Sequence, residues 1–223
     1  GGWPGGLLLV AFFVSSSALS HFKEARKTTL SEKFSKGHQR DLAQALANGG
    51  VGVLIMLVHF FWPHPMWWVA FAGAFATVNA DTWATELGVL SSTPPRSILT
   101  GQIVETGTSG GLTWLGTMAA SSGAAFIALI AMFFADYNAF FFLLIVASAG
   151  LLGSLADSFL GATAQAIYFC DHCQKETERH PHHTCGQTTR RVRGWRWLDN
   201  DGVNFLSSLV GAGLAAGMWR VLQ

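Results

Sequence analysis

The sequence predicts an all-α fold: a polytopic membrane helix bundle with about six transmembrane helices and a small Cys/His-rich cytoplasmic loop. Three observations predict it. Half of the 223 residues are hydrophobic and only 12% are charged, against about 25% charged in an ordinary soluble domain. Apolar segments of about 20 residues, the length that crosses a bilayer, recur along the chain. The basic residues fall in alternate connections, the asymmetry that orients membrane helices.

Six segments qualify as spans: roughly 5–22, 42–62, 66–90, 111–134, 138–168 and 201–221. Together they make 1–223 a single membrane domain. The second and third are joined by "PHP" and the fourth and fifth by "DYN", which leaves room only for tight turns between antiparallel helices. The chain begins at Gly1 without a basic n-region, so the first segment does not read as a signal peptide, and residues upstream of it are expected.

The basic loop 23–41 holds Lys23, Arg26, Lys27, Lys33, Lys36 and Arg40, and the loop 169–200 holds Lys175, Arg179, Arg190, Arg191, Arg193 and Arg196. Arg96 lies in the remaining long loop, and the short turns carry no basic residue. The long loops are therefore expected in the cytoplasm. Trp3, Trp62, Trp67, Trp68 and Trp219 should form an outer aromatic belt, with Trp114, Trp195 and Trp197 at the inner interface. The formal net charge of +1 gives no reason to expect a nucleic-acid partner.

Polar residues break the apolar pattern on one side only. The third span ends in "NADTWATELG", 79–88, where Asp81 and Thr85, and Thr82 and Glu86, are each four apart and share a helix face. The fifth carries "GSLADSFLGA" with Asp157 and Ser158; the sixth opens with "LDNDGVNF", crowding Asp199, Asn200, Asp201 and Asn204 into its first turns; the second opens with "QALANGG", giving Gln44 and Asn48. Carboxylates inside a membrane are costly and mark function by default. Oxygen donors of this kind suit Mg²⁺, which binds through a few carboxylates together with substrate phosphates. Asp81, Glu86, Asp157, Asp199 and Asp201 are the candidate Mg²⁺ ligands. The plain alternative for Asp199 and Asp201 is helix capping.

Before the fourth span, "VETGTSGG" offers Gly107, Thr108, Ser109 and Gly110, a glycine turn at a helix start whose N–H groups can converge on phosphate. An ordinary helix start reads the same way. No G-x-x-x-x-G-K-[ST] motif occurs. Lys27 and Arg40, and Arg193 and Arg196 of "TRRVRGWRW", are candidate phosphate ligands, since guanidinium groups grip phosphate oxygens in pairs. In "CDHCQKETERHPHHTCG", Cys170 and Cys173 have C-x₂-C spacing and Cys185 follows; His183 is the best fourth ligand, with His172, His180 and His182 as alternatives. Three Cys and one His suit a structural Zn²⁺. Free thiols in a reducing compartment are the other reading.

The ordered set "QALANGG", "NADTWATELG", "GTSGG", "GSLADSFLGA", the Cys-rich loop and "RGWRWLDNDGVNF" resembles an integral-membrane family. That family includes the phytyl-phosphate kinase of tocopherol synthesis and vertebrate transmembrane protein nineteen. Its members usually carry at least one more helix upstream than this chain shows. The resemblance implies a kinase that transfers a phosphoryl group from a nucleoside triphosphate, with CTP as the expected donor, to an isoprenoid monophosphate such as phytyl phosphate. It carries over the positions Asn48, Asp81, Thr82, Glu86, Thr108, Ser109, Asp157, Ser158, Asp199, Asn200, Asp201 and Asn204. On this reading Asp81, Asp157 and Asp201 are catalytic, through the metal they hold. The other phosphate-site residues are Asn48, Thr82, the glycine turn, Ser158, Asn200, Asn204 and the basic residues already named. The same parts suit a lipid alcohol kinase or a CTP-dependent cytidylyltransferase. A lipid or ion transporter, or a zinc-bearing interaction protein, are the non-enzymatic alternatives.

Overall fold

A computed structural model describes residues 2–22, 42–135 and 138–222. The basic loop 23–41, with Lys27 and Arg40, lies outside the described residues. Six long helices dominate: α1 (Gly2–His21), α2 (Leu42–Phe61), α3 (Met66–Gly88), α4 (Trp114–Met132), α5 (Ala139–Thr163) and α6 (Asn200–Val221). Between them lie short strands: β1 (Arg96–Ser97) and β2 (Gly111–Leu112), then β3 (Ile167–Cys170), β4 (Lys175–Thr177) and β5 (Arg190–Arg193).

Five of the six helices are long and apolar enough to cross a membrane; α3 is the exception. The physical reason is its place. It packs against each of the other five helices, and every residue from Val69 to Ala80 is buried. A helix sheathed by protein has no lipid-facing side to keep greasy, so its sequence is free to carry Ala, Gly, Thr and Asn. Small residues let backbones approach, the usual basis of helix association in membranes. Thr77 of α3 shows how close: a Cβ added at Gly153 of α5 or Gly211 of α6 would overlap its side chain. Asn79 is fully buried and satisfied, its Nδ2 donating to Gly123 O of α4 at 2.8 Å and its Oδ1 accepting from Ser15 Oγ of α1 at 3.1 Å.

Helix ends follow local chemistry. Thr113 caps α4 by accepting from Gly116 N, Asn138 caps α5 by accepting from Phe140 N and Phe141 N, and Asp199 caps α6 by accepting from Gly202 N. At two boundaries strands stand where the sequence predicts helix. The fifth span stops at Thr163 instead of 168, and Ile167–Cys170 becomes a strand. The fourth begins at Trp114, because Gly111–Leu112 pairs antiparallel with Arg96–Ser97. The Cys-rich loop is a three-stranded antiparallel sheet ordered β4-β3-β5.

At the end bearing the α2–α3 and α4–α5 turns, aromatic rings meet. Trp3 and Trp68 both pack edge-on against Phe134, and His64 packs edge-on against Trp219. Trp219 lies at the expected end, but it is buried among the helices. The opposite end carries both small sheets and the polar motifs.

Candidate active site

At that opposite end the helices part around a half-open cavity of about 330 Å³, within the range of small-ligand sites. Its walls unite segments far apart in sequence. Helix α3 gives Asp81, Thr82 and Glu86; α5 gives Asp157 and Ser158; α6 gives Asn200, Asp201 and Asn204; the glycine turn gives Gly107, Thr108, Ser109 and Gly110. Gln44 of α2 and Ser20 of α1 complete the rim. The i, i+4 spacing that placed Asp81 above Thr85 and Thr82 above Glu86 thus turns all four toward one space.

Individual contacts fix some of these side chains. Asp157 is buried and accepts from Ser207 Oγ of α6 at 2.9 Å. Glu86 accepts from Ser20 Oγ at 2.7 Å, which ties α1 to the rim. Thr82 Oγ1 donates back to Val78 O at 2.9 Å. The glycine turn lies directly on α5: a Cβ at Gly110 would overlap Ala162 and stand 2.8 Å from Ser158 O. Gly107 and Gly110 have φ of 82° and 81°, the left-handed region that favours glycine. Within the turn Thr108 N donates to Glu105 O and Gly111 N to Thr108 O. The N–H groups of Gly107, Ser109 and Gly110 donate to none of the described residues.

Four sequence-predicted residues do not line the cavity. Asp199 is the α6 cap described above. Asn48 sits deeper on α2, half-buried, with its Oδ1 unpartnered. Arg193 donates through one guanidinium nitrogen to Gly161 O and Ala162 O, both at 2.8 Å, and so serves the carbonyl end of α5. Burial lowers its pKa, while Glu176 and Glu178 nearby favour its charge. Arg196 is exposed. Arg190 and Arg191 are also spent on their own neighbourhood, since Arg190 pairs with Asp171 at 3.1 Å and Arg191 donates to Gly194 O. Helix and strand ends present carbonyls that a nearby guanidinium satisfies, which the sequence spacing alone does not reveal.

Glu178, just after β4, lines the cavity and was not singled out from sequence. It lies inside the Cys/His-rich loop, and only the folded sheet brings it to the glycine turn. The lining therefore holds five carboxylates, Asp81, Glu86, Asp157, Glu178 and Asp201, and no Lys, Arg or His among the described residues. An acidic, oxygen-rich wall of this kind fits a hard cation such as Mg²⁺ and by itself repels a bare phosphate.

The second cluster is as the Cys spacing predicts. One ligand atom from each of Cys170, Cys173, His183 and Cys185 lies within 4.8 Å of the others. Cys170 and Cys185 sulfurs are 3.6 Å apart, and His183 Nδ1 is 3.3 Å from the Cys185 sulfur. Sulfur atoms about 2.3 Å from a tetrahedral Zn²⁺ stand roughly 3.8 Å apart, so the donor set can hold such a metal. The N–H of Cys173 beside Cys170 helps hold the Cys170 thiol below its ordinary pKa, the direction that favours a thiolate ligand. Metal analysis of the purified protein is expected to find about one zinc per chain. Cys170→Ser or Cys185→Ser should abolish it while leaving the helices folded, as circular dichroism would show.

Comparison with known proteins agrees with this architecture. The chain is 33% identical to Protein PGR of Arabidopsis thaliana, over 94% of this chain and 79% of that protein. It is 33% identical to an uncharacterized membrane protein of Methanocaldococcus jannaschii over 70% of this chain and 63% of the relative. An uncharacterized membrane protein of Synechocystis is 25% identical over 100% of this chain and 76% of its own length. No solved structure matches. Residues 1–212 match the family described as Integral membrane protein DUF92; the chain belongs to that integral membrane family.

Proposed function

We propose that the protein is a membrane kinase that transfers a phosphoryl group from a nucleoside triphosphate, with CTP as the expected donor, to an isoprenoid monophosphate, giving the diphosphate. The observation that carries this reading is the meeting of Asp81, Asp157 and Asp201, from three helices, with the Gly107–Gly110 turn in one half-open cavity. A phosphate monoester has a second pKa of about 6, so the acceptor is already a nucleophile near neutral pH and asks for no strong base. The obstacle is the mutual repulsion of two polyanions. A divalent cation held by Asp81, Asp157 and Asp201, with Glu86 as a further donor, would supply the charge compensation. The unengaged N–H groups of the glycine turn orient donor phosphate, and Thr108 and Ser158 add hydroxyls beside it. Catalysis is then mainly positioning and electrostatics.

The isoprenoid tail would lie between helices in contact with bilayer lipid, and the site would face the cytoplasm. That orientation rests on the Lys and Arg distribution. A transporter is the less favoured reading, because the end opposite the cavity is packed with aromatic rings.

Labelled nucleotide tests the reaction. Purified protein in detergent with Mg²⁺, phytyl phosphate and CTP should move γ-label into a lipid diphosphate. Transfer of α-label with release of pyrophosphate would identify a cytidylyltransferase instead. Phosphorylation of the free alcohol but not of its phosphate would identify an alcohol kinase.

A further inference from the structure

The Cys/His-rich sheet and the glycine turn are joined by one buried side chain. Gln165, just past α5, is 1% exposed. Its Oε1 accepts from Ser109 Oγ of the turn at 2.8 Å, and its Nε2 donates to Glu178 Oε1 at 2.8 Å. Glu178 follows β4, and it lines the cavity together with Ser109. A second, small cleft between the turn and the sheet is walled by Thr108, Ser109, Thr177 and Glu178, so the two segments face each other over more than this one contact. The packing is tight on the helix side as well, since a Cβ at Gly161 would overlap Ser109 Oγ.

A buried amide with both ends engaged is a rigid link, because breaking either bond strands one end of a side chain that is itself out of reach of water. Ser109 Oγ has only a few rotamers. Donating to Gln165 selects one of them and leaves the oxygen lone pairs and the adjacent N–H for the cavity. Glu178 is held in turn by Gln165 Nε2, which places a carboxylate of the sheet on the same wall as those of the helices.

We infer that Gln165 is a positioning residue for the glycine turn, and that through it the Cys/His-rich sheet contributes Glu178 to the cavity as a working carboxylate. The sheet is thus part of the nucleotide site, not an appendage to it. The inference deepens the kinase reading and rests on it for the identity of the ligand, but the link itself is a property of this chain.

Two measurements on the full chain in detergent separate the link from the ligand. The first is hydrogen exchange of the segment 104–111. Gln165→Leu should speed exchange there several-fold while exchange within α3 and α4 stays as in the parent. The second is affinity for CTP with Mg²⁺. Gln165→Leu and Ser109→Ala should each weaken it about tenfold, the order expected for one lost hydrogen bond within a charged network. The double variant should be no weaker than Gln165→Leu alone, because Ser109→Ala removes only a bond that Gln165→Leu has already removed. Glu178→Gln keeps the bond to Gln165 and should leave exchange of 104–111 unchanged while weakening CTP–Mg²⁺ binding. Unchanged exchange in Gln165→Leu, or additive losses in the double variant, overturns the inference. If the turn loosens as expected but the parent protein binds no CTP, the link stands and the choice of nucleotide falls.

Discussion

Asp157→Asn is expected to lower phosphoryl transfer by about 10³-fold or more, without lowering the melting temperature of the protein in detergent. Asp157 lies on the cavity wall and is nearly buried between α5 and α6. Asn is almost the same shape, and its Oδ1 can still accept from Ser207 Oγ, so packing survives. What is lost is the negative charge that the proposed divalent cation would need. Desolvating a carboxylate is costly inside a bundle, and removing it relieves a penalty that the fold otherwise carries. Activity and stability should therefore move independently. A variant that lost both together would mark Asp157 as a structural residue. One that kept full activity would remove the acidic cavity from the mechanism altogether. Asp81→Asn should behave in the same way, since its carboxylate lines the same space from α3.

Gly211→Ala and Gly213→Ala, two residues apart on α6, are expected to shift stability in opposite directions. Replacing a helix-interior Gly by Ala ordinarily gains about 0.5–1 kcal/mol, because glycine loses the most backbone freedom on folding. Gly213 should show that gain, for a Cβ there meets nothing within 4 Å. At Gly211 the added atom would overlap Thr77 Oγ1 and stand 3.0 Å from Thr77 Cβ and 3.1 Å from Gly73 O. Thr77 cannot easily turn aside, because its hydroxyl is bonded to Gly73 O at 2.9 Å and the residue is fully buried. Helix α6 would have to move away from α3, and overpacking of this kind typically costs about 2 kcal/mol. Thermal melts of the two variants beside the parent decide it. A Gly211→Ala protein as stable as Gly213→Ala would mean that α3 and α6 are not in contact at Thr77.

These two predictions draw on different parts of what the chain reveals. The four helix carboxylates of the acidic wall were legible residue by residue. Asp81, Asp157 and Asp201 stand out because carboxylates are rare in apolar segments, and the alternation of basic loops placed all three at the same end of the bundle. The glycine turn and the cluster of Cys170, Cys173, His183 and Cys185 were legible for the same reason, since their spacing is local. Arg193 was misleading for a reason equally local. A run of guanidinium groups looks the same whether it meets phosphate or the carbonyl ends of a neighbouring helix, and here Arg193 meets Gly161 and Ala162.

The membrane class, the helix order and the end of the bundle where acidic and polar residues gather could all be read along the chain. Each of these depends on apolarity and charge summed along short stretches, which chain connectivity preserves. Tertiary structure alone decided that α3 is the sheathed centre, that Gln165 joins the glycine turn to the Cys/His-rich sheet, and that Glu178 shares a wall with the helix carboxylates. Those relations depend on which distant backbones approach within hydrogen-bond reach. A side chain's sequence neighbours carry no record of that distance, because it is set by how small residues let separate helices close together.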